Sequence, residues 1–139
     1  MNESYSFDIE AFDFDAIHEW LSQTYWSPGI SKERIQQGFR NSTVVIGAFS
    51  DGKQVGVARC LSDTTRFAYI ADVYVHPSFR GRGIARKMVS ELLCHPKVAD
   101  ADKCYLFTKD AHEVYKKIGF GPFPTPNTIM TRKKGSLSK

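Results

Sequence analysis

The sequence predicts an α+β domain: a mixed, mostly antiparallel twisted sheet with helices flanking it. Three observations carry this. Two β-branched apolar runs, residues 42–50 and 54–62, flank Asp51-Gly52, a dipeptide that tolerates positive φ and so favours a tight hairpin. A long apolar run at 66–75, an amphipathic stretch from Ile84 and a short apolar run at 103–108 read as strand, helix, strand. Such a crossover joins parallel strands. Two short segments of helical spacing precede the first hairpin strand.

Taken in chain order, residues 4–10 alternate weakly and suit an edge strand. Asp13 or Asp15 can cap a helix carrying Ile17, Trp20 and Leu21, because a short side-chain oxygen accepts one of the orphan amides of the first turn. Tyr25-Trp26-Ser27-Pro28-Gly29 breaks that helix. Ser31 opens a second one, with Ile35 and Phe39 four apart. After the hairpin and the third strand, Ile84, Met88, Leu92 and Leu93 form the apolar stripe of a helix that His95-Pro96 ends. Asp110 and Glu113 have capping-box spacing for a helix through Ile118, and Gly119 stands at its C′ position. Residues 128–132 make a possible last strand. The predicted order is two N-terminal helices followed by βββαβαβ.

Composition sets the class. The chain has 139 residues, 42% of them hydrophobic, enough for one domain with its own core. It shows no apolar run of membrane-spanning length and no basic-then-apolar leader. Cys60, Cys94 and Cys104 form no CxxC pair, which speaks against zinc-ribbon and thioredoxin chemistry and suits a reducing cytoplasm. The net charge of +4 is unevenly placed. Glu3, Asp8, Glu10, Asp13 and Asp15 make the start acidic. Arg80, Arg82, Arg86 and Lys87, then Lys116 and Lys117, then the tail from Arg132 to Lys134 are basic clusters.

The sharpest motif is strand, Arg80-Gly81-Arg82-Gly83-Ile84-Ala85, helix. A helix N-terminus offers unpartnered amides and partial positive charge. Gly81 and Gly83 leave that backbone open to close approach, and Arg80, Arg82 and Arg86 add charge. This is a diphosphate cradle in physical terms. It lacks the Gly-Lys-Ser/Thr of a P-loop and the GxGxxG of a dinucleotide fingerprint.

The segment Asp72-Val73-Tyr74-Val75-His76-Pro77-Ser78-Phe79-Arg80-Gly81-Arg82-Gly83-Ile84-Ala85 resembles the acetyl-CoA signature of the GNAT acetyltransferase superfamily, Arg/Gln-x-x-Gly-x-Gly/Ala. Arg80, Gly83 and Ala85 fill its fixed places. Ala111-x-x-x-Tyr115-x-x-x-Gly119-Phe120 resembles the family's closing motif. The resemblance implies a sheet whose central parallel strand pair splays, acetyl-CoA as acyl donor, and no metal. The amides of Arg82 to Arg86, with Ile84 and Ala85 between them, would take the pyrophosphate. Val73, Tyr74 and Val75 would pair with the pantetheine arm as an added strand. Tyr115 corresponds to the tyrosine that protonates the departing thiolate. Asp72 is a candidate base or orienting group, and alternation places it on one face with Ile70, Tyr74 and His76. Thr108 stands where many members carry asparagine, a departure from the pattern, and His112 lies one turn before Tyr115. Tyr25 and Trp26 are candidate walls of the acceptor pocket.

The resemblance therefore implies a cytoplasmic acyl-CoA N-acyltransferase domain over residues 1–134, with 135–139 as a flexible basic tail. It would transfer acetyl from acetyl-CoA to an amine-bearing acceptor, act away from membranes, and exist as a monomer or homodimer. A CoA-binding regulator without catalysis is one rival. A basic nucleic-acid binder is another, but no helix-turn-helix, zinc site or RNA-binding aromatic motif supports it.

Overall fold

A computed structural model describes residues 3–135; the predicted tail beyond Gly135 lies outside the described residues. Five strands form one sheet in the order β1-β2-β3-β4-β5: β1 (Glu3–Ser6), β2 (Val44–Ser50), β3 (Lys53–Ser62), β4 (Phe67–Val75) and β5 (Lys103–Tyr105). The first four pair antiparallel, and β4 pairs parallel with β5. The mixed sheet is the predicted one, and β1 is its edge.

Local chemistry explains the elements. Asp13 caps α1 (Phe14–Leu21) by accepting the Ala16 amide, and Ser31 caps α2 (Lys32–Arg40) by accepting that of Arg34. Asp15 does not cap; it pairs with Lys32 across the two helices at 2.6 Å. Asp51 and Gly52 take φ of 52° and 79°, the paired left-handed conformation that a two-residue hairpin turn needs. The β3–β4 turn is built on Asp63. Its Oδ1 accepts the amides of Thr65, Arg66 and Phe67 at 3.1, 2.8 and 3.1 Å, which pulls the carboxyl down to about 2.

Apolar side chains fill both faces of the sheet. On one face α3 (Ile84–Cys94) buries Ile84, Met88, Val89 and Leu92 against Ile46, Val55, Ile70 and Val75. On the other, α1 and α2 bury Ile17, Trp20, Leu21, Ile35 and Phe39 against Val45 and Val57. Phe39 is the hub there, edge-on to both Phe12 and Phe14 at 6.4 and 5.9 Å. Buried Gln54 ties this layer to the sheet. Its Oε1 accepts the Asp13 amide at 2.7 Å, and its Nε2 donates to the Gly56 carbonyl at 3.1 Å. A Cβ on Gly47 would sit 2.9 Å from that amide nitrogen and from Phe12, so only glycine admits the contact.

The structure corrects five expectations. The edge strand expected over residues 4–10 ends at Ser6, and Ile9–Ala11 forms a 3-10 turn capped by Asp8. Residues 128–132 form no strand. A 3-10 turn at Pro126–Thr128 precedes them, and residues 129–135 are exposed. The strand expected at 103–108 stops at Tyr105, because its partner β4 leaves the ladder at Tyr69. The helix expected through Ile118 is the short α4 (His112–Lys116), and neither Asp110 nor Glu113 caps it. Thr108 Oγ1 accepts the Ala111 amide at 3.0 Å instead, while Glu113 pairs with Lys116. Gly119 does close the helix, at φ 100°. The last correction concerns Asp72 and is given with the site.

Phe39→Ala removes the hub of the α1–α2 layer. Truncating a buried phenylalanine costs about 3–5 kcal/mol, and urea unfolding should show a loss of that size with an unchanged m-value.

Candidate active site

The site starts from a fault in β4. Arg59 on β3 stands opposite Ala71, and Val57 opposite Tyr74. One residue of β3 therefore faces two of β4, Asp72 and Val73, which is a β-bulge. Asp72 takes the left-handed conformation, φ 56°, which costs a residue with a Cβ about 1–2 kcal/mol. The extra residue reverses the alternation. Ile70 and Val75 face the α3 core, whereas Tyr74 stacks on Trp20 of α1, with ring centroids 5.4 Å apart and planes 15° apart. Asp72 thus shares a side with Tyr74 and His76 but not with Ile70; simple alternation fails because of the bulge.

The Asp72 carboxylate is engaged at both oxygens. Arg59 Nε donates to Oδ2 at 2.7 Å, and Trp26 Nε1 donates to Oδ1 at 2.9 Å. Arg59 also donates to Ser42 Oγ and lies over the Phe39 ring. The carboxylate therefore anchors the aromatic loop between α1 and α2 to the bulge. Sequence reading missed Arg59. The available signal was a lone cation in the apolar run 54–62 and a lone anion in the run 66–75, on strands expected to be neighbours.

Beyond the bulge, β4 has no partner on its outer side among the described residues. The parallel ladder ends at Tyr69–Tyr105, while β4 continues to Val75. The His76 amide bonds to Val55 on β3, so alternation turns the Val75 amide away from β3, into the gap.

That gap leads to the glycine loop. Gly83 is the N-cap of α3 at φ 80°, with no side-chain cap, and Gly81 has φ 80° as well. The first amide of this region to find a partner within the chain is that of Lys87, on the Gly83 carbonyl; among the described residues, those from Gly81 to Arg86 have none. A Cβ on Gly83 would meet only the movable Arg86 guanidinium, at 3.4 Å. The concave side of the loop is open.

The three arginines divide their work. Arg80 Nε donates to the Val75 carbonyl at 2.8 Å and lies over the Tyr74 ring, fixing the loop to the end of β4. Arg82 reaches Glu3 on β1 and packs on Phe79. Arg86 has no ion-pair partner among the described residues, and its guanidinium lies beside Gly83.

Tyr115 of α4 is buried against the α3 core, its ring edge-on to Phe120. Every buried side-chain polar atom among the described residues has a hydrogen bond. The Tyr115 hydroxyl has none among the described residues, so it opens to the surface. Burial first, then the negative charge of Asp110 and the neighbouring Tyr25, pushes its pKa up to about 12. The hydroxyl stays protonated throughout the neutral range. Tyr25 comes from the α1–α2 loop, where it stands edge-on to Trp26 and carries Lys109 over its face at 5.2 Å. His112 is exposed at the start of α4, and Thr108 Oγ1 accepts the amide of Ala111, the residue just before that helix.

Comparison with known proteins gives the family. Residues 12–120 match the model of the acetyltransferase (GNAT) family. An uncharacterized N-acetyltransferase, ycf52, of Pyropia yezoensis is 31% identical over 93 residues, which cover 63% of this chain and 53% of that protein. A ycf52-like relative from Prochlorococcus marinus is 26% identical over 113 residues, covering 76% of this chain and 62% of the relative. The chain thus spans little more than half the length of these relatives. Among solved structures, a GNAT-family protein from Xanthomonas campestris pv. campestris superposes with a TM-score of 0.89 at 36% identity, over 96% of this chain and 94% of that one. A Clostridium acetobutylicum protein solved with acetyl-CoA shares the fold, with a TM-score of 0.69 at 20% identity over 95% of each chain. With the bulged strand, the glycine loop and the match over residues 12–120, the chain belongs to the acetyltransferase (GNAT) family.

Proposed function

We propose that this chain transfers an acetyl group from acetyl-CoA to a primary amine, by direct attack while both substrates are bound. One observation carries the reading: an unpaired strand edge and a row of unpartnered helix-end amides meet at the same end of the sheet. An elongated ligand with a hydrogen-bonding arm and a diphosphate needs those two features in that order. The amides of residues 82–86 suit the diphosphate, with Arg86 adding a full charge. The edge of Val73 to Val75 suits an amide-bearing arm laid down as an extra strand.

In this reading the thioester lies in the gap between β4 and β5. Attack by the amine forms a C–N bond and breaks the C–S bond, and the CoA sulfur departs as a thiolate. Tyr115 donates its proton to that sulfur and is reprotonated, through water, by the proton the attacking nitrogen releases. Its raised pKa makes it a weak acid, but a thiolate with a parent pKa near 8.5 needs only modest help to leave. Asp72 suits orientation better than proton abstraction, since Arg59 and Trp26 hold both its oxygens. Tyr25 and Trp26, placed by that contact, form the wall an acceptor amine meets. The route uses no metal. No described helix is long and apolar enough to cross a membrane, and Cys60, Cys94 and Cys104 are free thiols, which suits work in the cytoplasm. A panel of amines tested with acetyl-CoA for thiol release tests the activity; no release above hydrolysis with any amine counts against it.

Two variants test the parts. Gly83→Ala and Gly52→Ala each place a Cβ at φ near 80°, Gly52 in open space and Gly83 against only the movable Arg86 guanidinium at 3.4 Å, so both should lower the melting temperature by a similar amount. Only Gly83→Ala should weaken acetyl-CoA binding, by more than tenfold, or about 1.4 kcal/mol. Equal binding by both variants would make the loop a plain turn.

Tyr115→Phe keeps the buried ring and deletes the hydroxyl. We expect kcat to fall about 10- to 1000-fold, with acetyl-CoA affinity and melting temperature nearly unchanged. Because the folded state raises this pKa, the stability it contributes is full below pH 10 and is lost as the pH rises toward 12. The wild type should therefore lose that increment in alkali and Tyr115→Phe should not.

A further inference from the structure

A cavity lies at the end of the sheet away from the glycine loop. It forms because β1 leaves β2 early. Ser6 pairs with Gly47, whereas β2 extends back to Val44. Residues 44–46 therefore have no strand partner on that side among the described residues. Phe7 turns away there to meet His95, at the end of α3, with the rings edge-on and 4.9 Å apart. These two rings, with Phe39, Val44 and Val45, line a space of about 350 Å³. Arg40 and Lys97, both exposed, belong to the same lining, and no acidic side chain does among the described residues.

The walls are preformed. Ser6 Oγ accepts the Asp8 amide and Asp8 Oδ1 that of Glu10, each at 3.0 Å, which fixes the chain as it leaves β1. Both α2 and α3 end at the cavity, and a helix C-terminus is negative. Hydrogen bonds take up much of that charge here. The Gln37 carbonyl accepts Asn41 Nδ2, the Gly38 carbonyl accepts Ser42 Oγ, and the His95 carbonyl accepts the amides of Val98 and Ala99. His95 Nδ1 accepts the Lys97 amide at 3.1 Å, so the ring proton sits on Nε2, which is a donor. Lys97 has no ion-pair partner among the described residues. Arg40 pairs with Glu10 at 3.3 Å, both side chains more than half exposed, a contact worth little and readily exchanged for another carboxylate.

We propose that this cavity binds a small carboxylate with an aromatic body, at a site separate from that of acetyl transfer. The ring lies between the Phe7–His95 wall and Phe39, over the start of β2. The carboxylate meets Arg40 and Lys97 in charge-assisted contacts. The volume is at the small end of ligand pockets, which suits a ligand of one or two rings. None of the lining residues belongs to β4, the glycine loop or α4, so the site stands or falls apart from the acetyl-transfer reading.

Phenylacetate is the probe, with the isotope-labelled full chain. In an amide-shift titration the signals of Val44, Val45 and Lys97 should move and those of the glycine loop should stay. By calorimetry phenylacetate should bind about tenfold or more tighter than phenylacetamide, which keeps the ring without the charge, and than acetate, which keeps the charge without the ring. The double variant Arg40→Gln, Lys97→Gln should lose that preference and keep native circular dichroism, because both side chains are exposed. No binding of phenylacetate by the wild type overturns the proposal. So does equal binding of phenylacetamide, a shift map centred on the glycine loop, or a folded double variant that binds phenylacetate as the wild type does.

Discussion

The site depends on one backbone constraint, the left-handed Asp72 in the middle of β4. A bulge bends its strand and increases local twist, and here the bend follows directly on the last β4–β5 pair, Tyr69–Tyr105. The gap, the free edge to Val75 and the exit toward the glycine loop all lie downstream of it. A non-glycine residue holds this conformation only when its surroundings over-determine it. Arg59 and Trp26 do so, by fixing each oxygen of the carboxylate. The ion pair is partly shielded, with side chains 21% and 16% exposed, so it loses less to solvent screening than a surface pair would.

The same contact connects the two layers of the molecule. Arg59 lies over Phe39, the hub of the α1–α2 core, and Trp26 belongs to the loop between those helices. The loop that would meet an acceptor is thus positioned through Asp72 by the strand that would hold the donor. On the opposite face, α3 is anchored by Met88, Val89 and Leu92, all fully buried, which holds its uncapped N-terminus at the end of β4. Electrostatics at that terminus are asymmetric. Arg80 and Arg82 are committed to protein partners, whereas Arg86 has no ion-pair partner among the described residues.

Much of this was legible in the sequence, and the parts that were not share a cause. The Asp51-Gly52 hairpin, the Asp13 cap, the parallel crossover and the glycine loop are written in residues close together in the chain, whose chemistry acts locally. The bulge is a mismatch of register between β3 and β4, and no property of residues 70–75 alone announces it; counting by alternation therefore put Ile70 and Asp72 on one side. Arg59 and Gln54 escaped notice because their partners stand 13 and 41 residues away. The Asp110–Glu113 cap is not made: α4 starts after Ala111 without a side-chain cap, and Thr108 takes the Ala111 amide, a pairing that spacing alone does not rank. Residues 128–132 carry strand composition without a strand partner among the described residues, since a strand needs an edge as well as a propensity.

Amide hydrogen exchange in the presence of acetyl-CoA tests the account at its centre, because the backbone itself is asked to hold the ligand. The amides of residues 82–86 and of Val75 have no partner within the described chain or face the gap, and should exchange fast when free. With saturating acetyl-CoA they should slow together by more than tenfold, about 1.4 kcal/mol each, while the hairpin at Asp51-Gly52 stays unchanged. Binding that leaves the exchange of these amides unaltered, or no binding at all, would contradict the account.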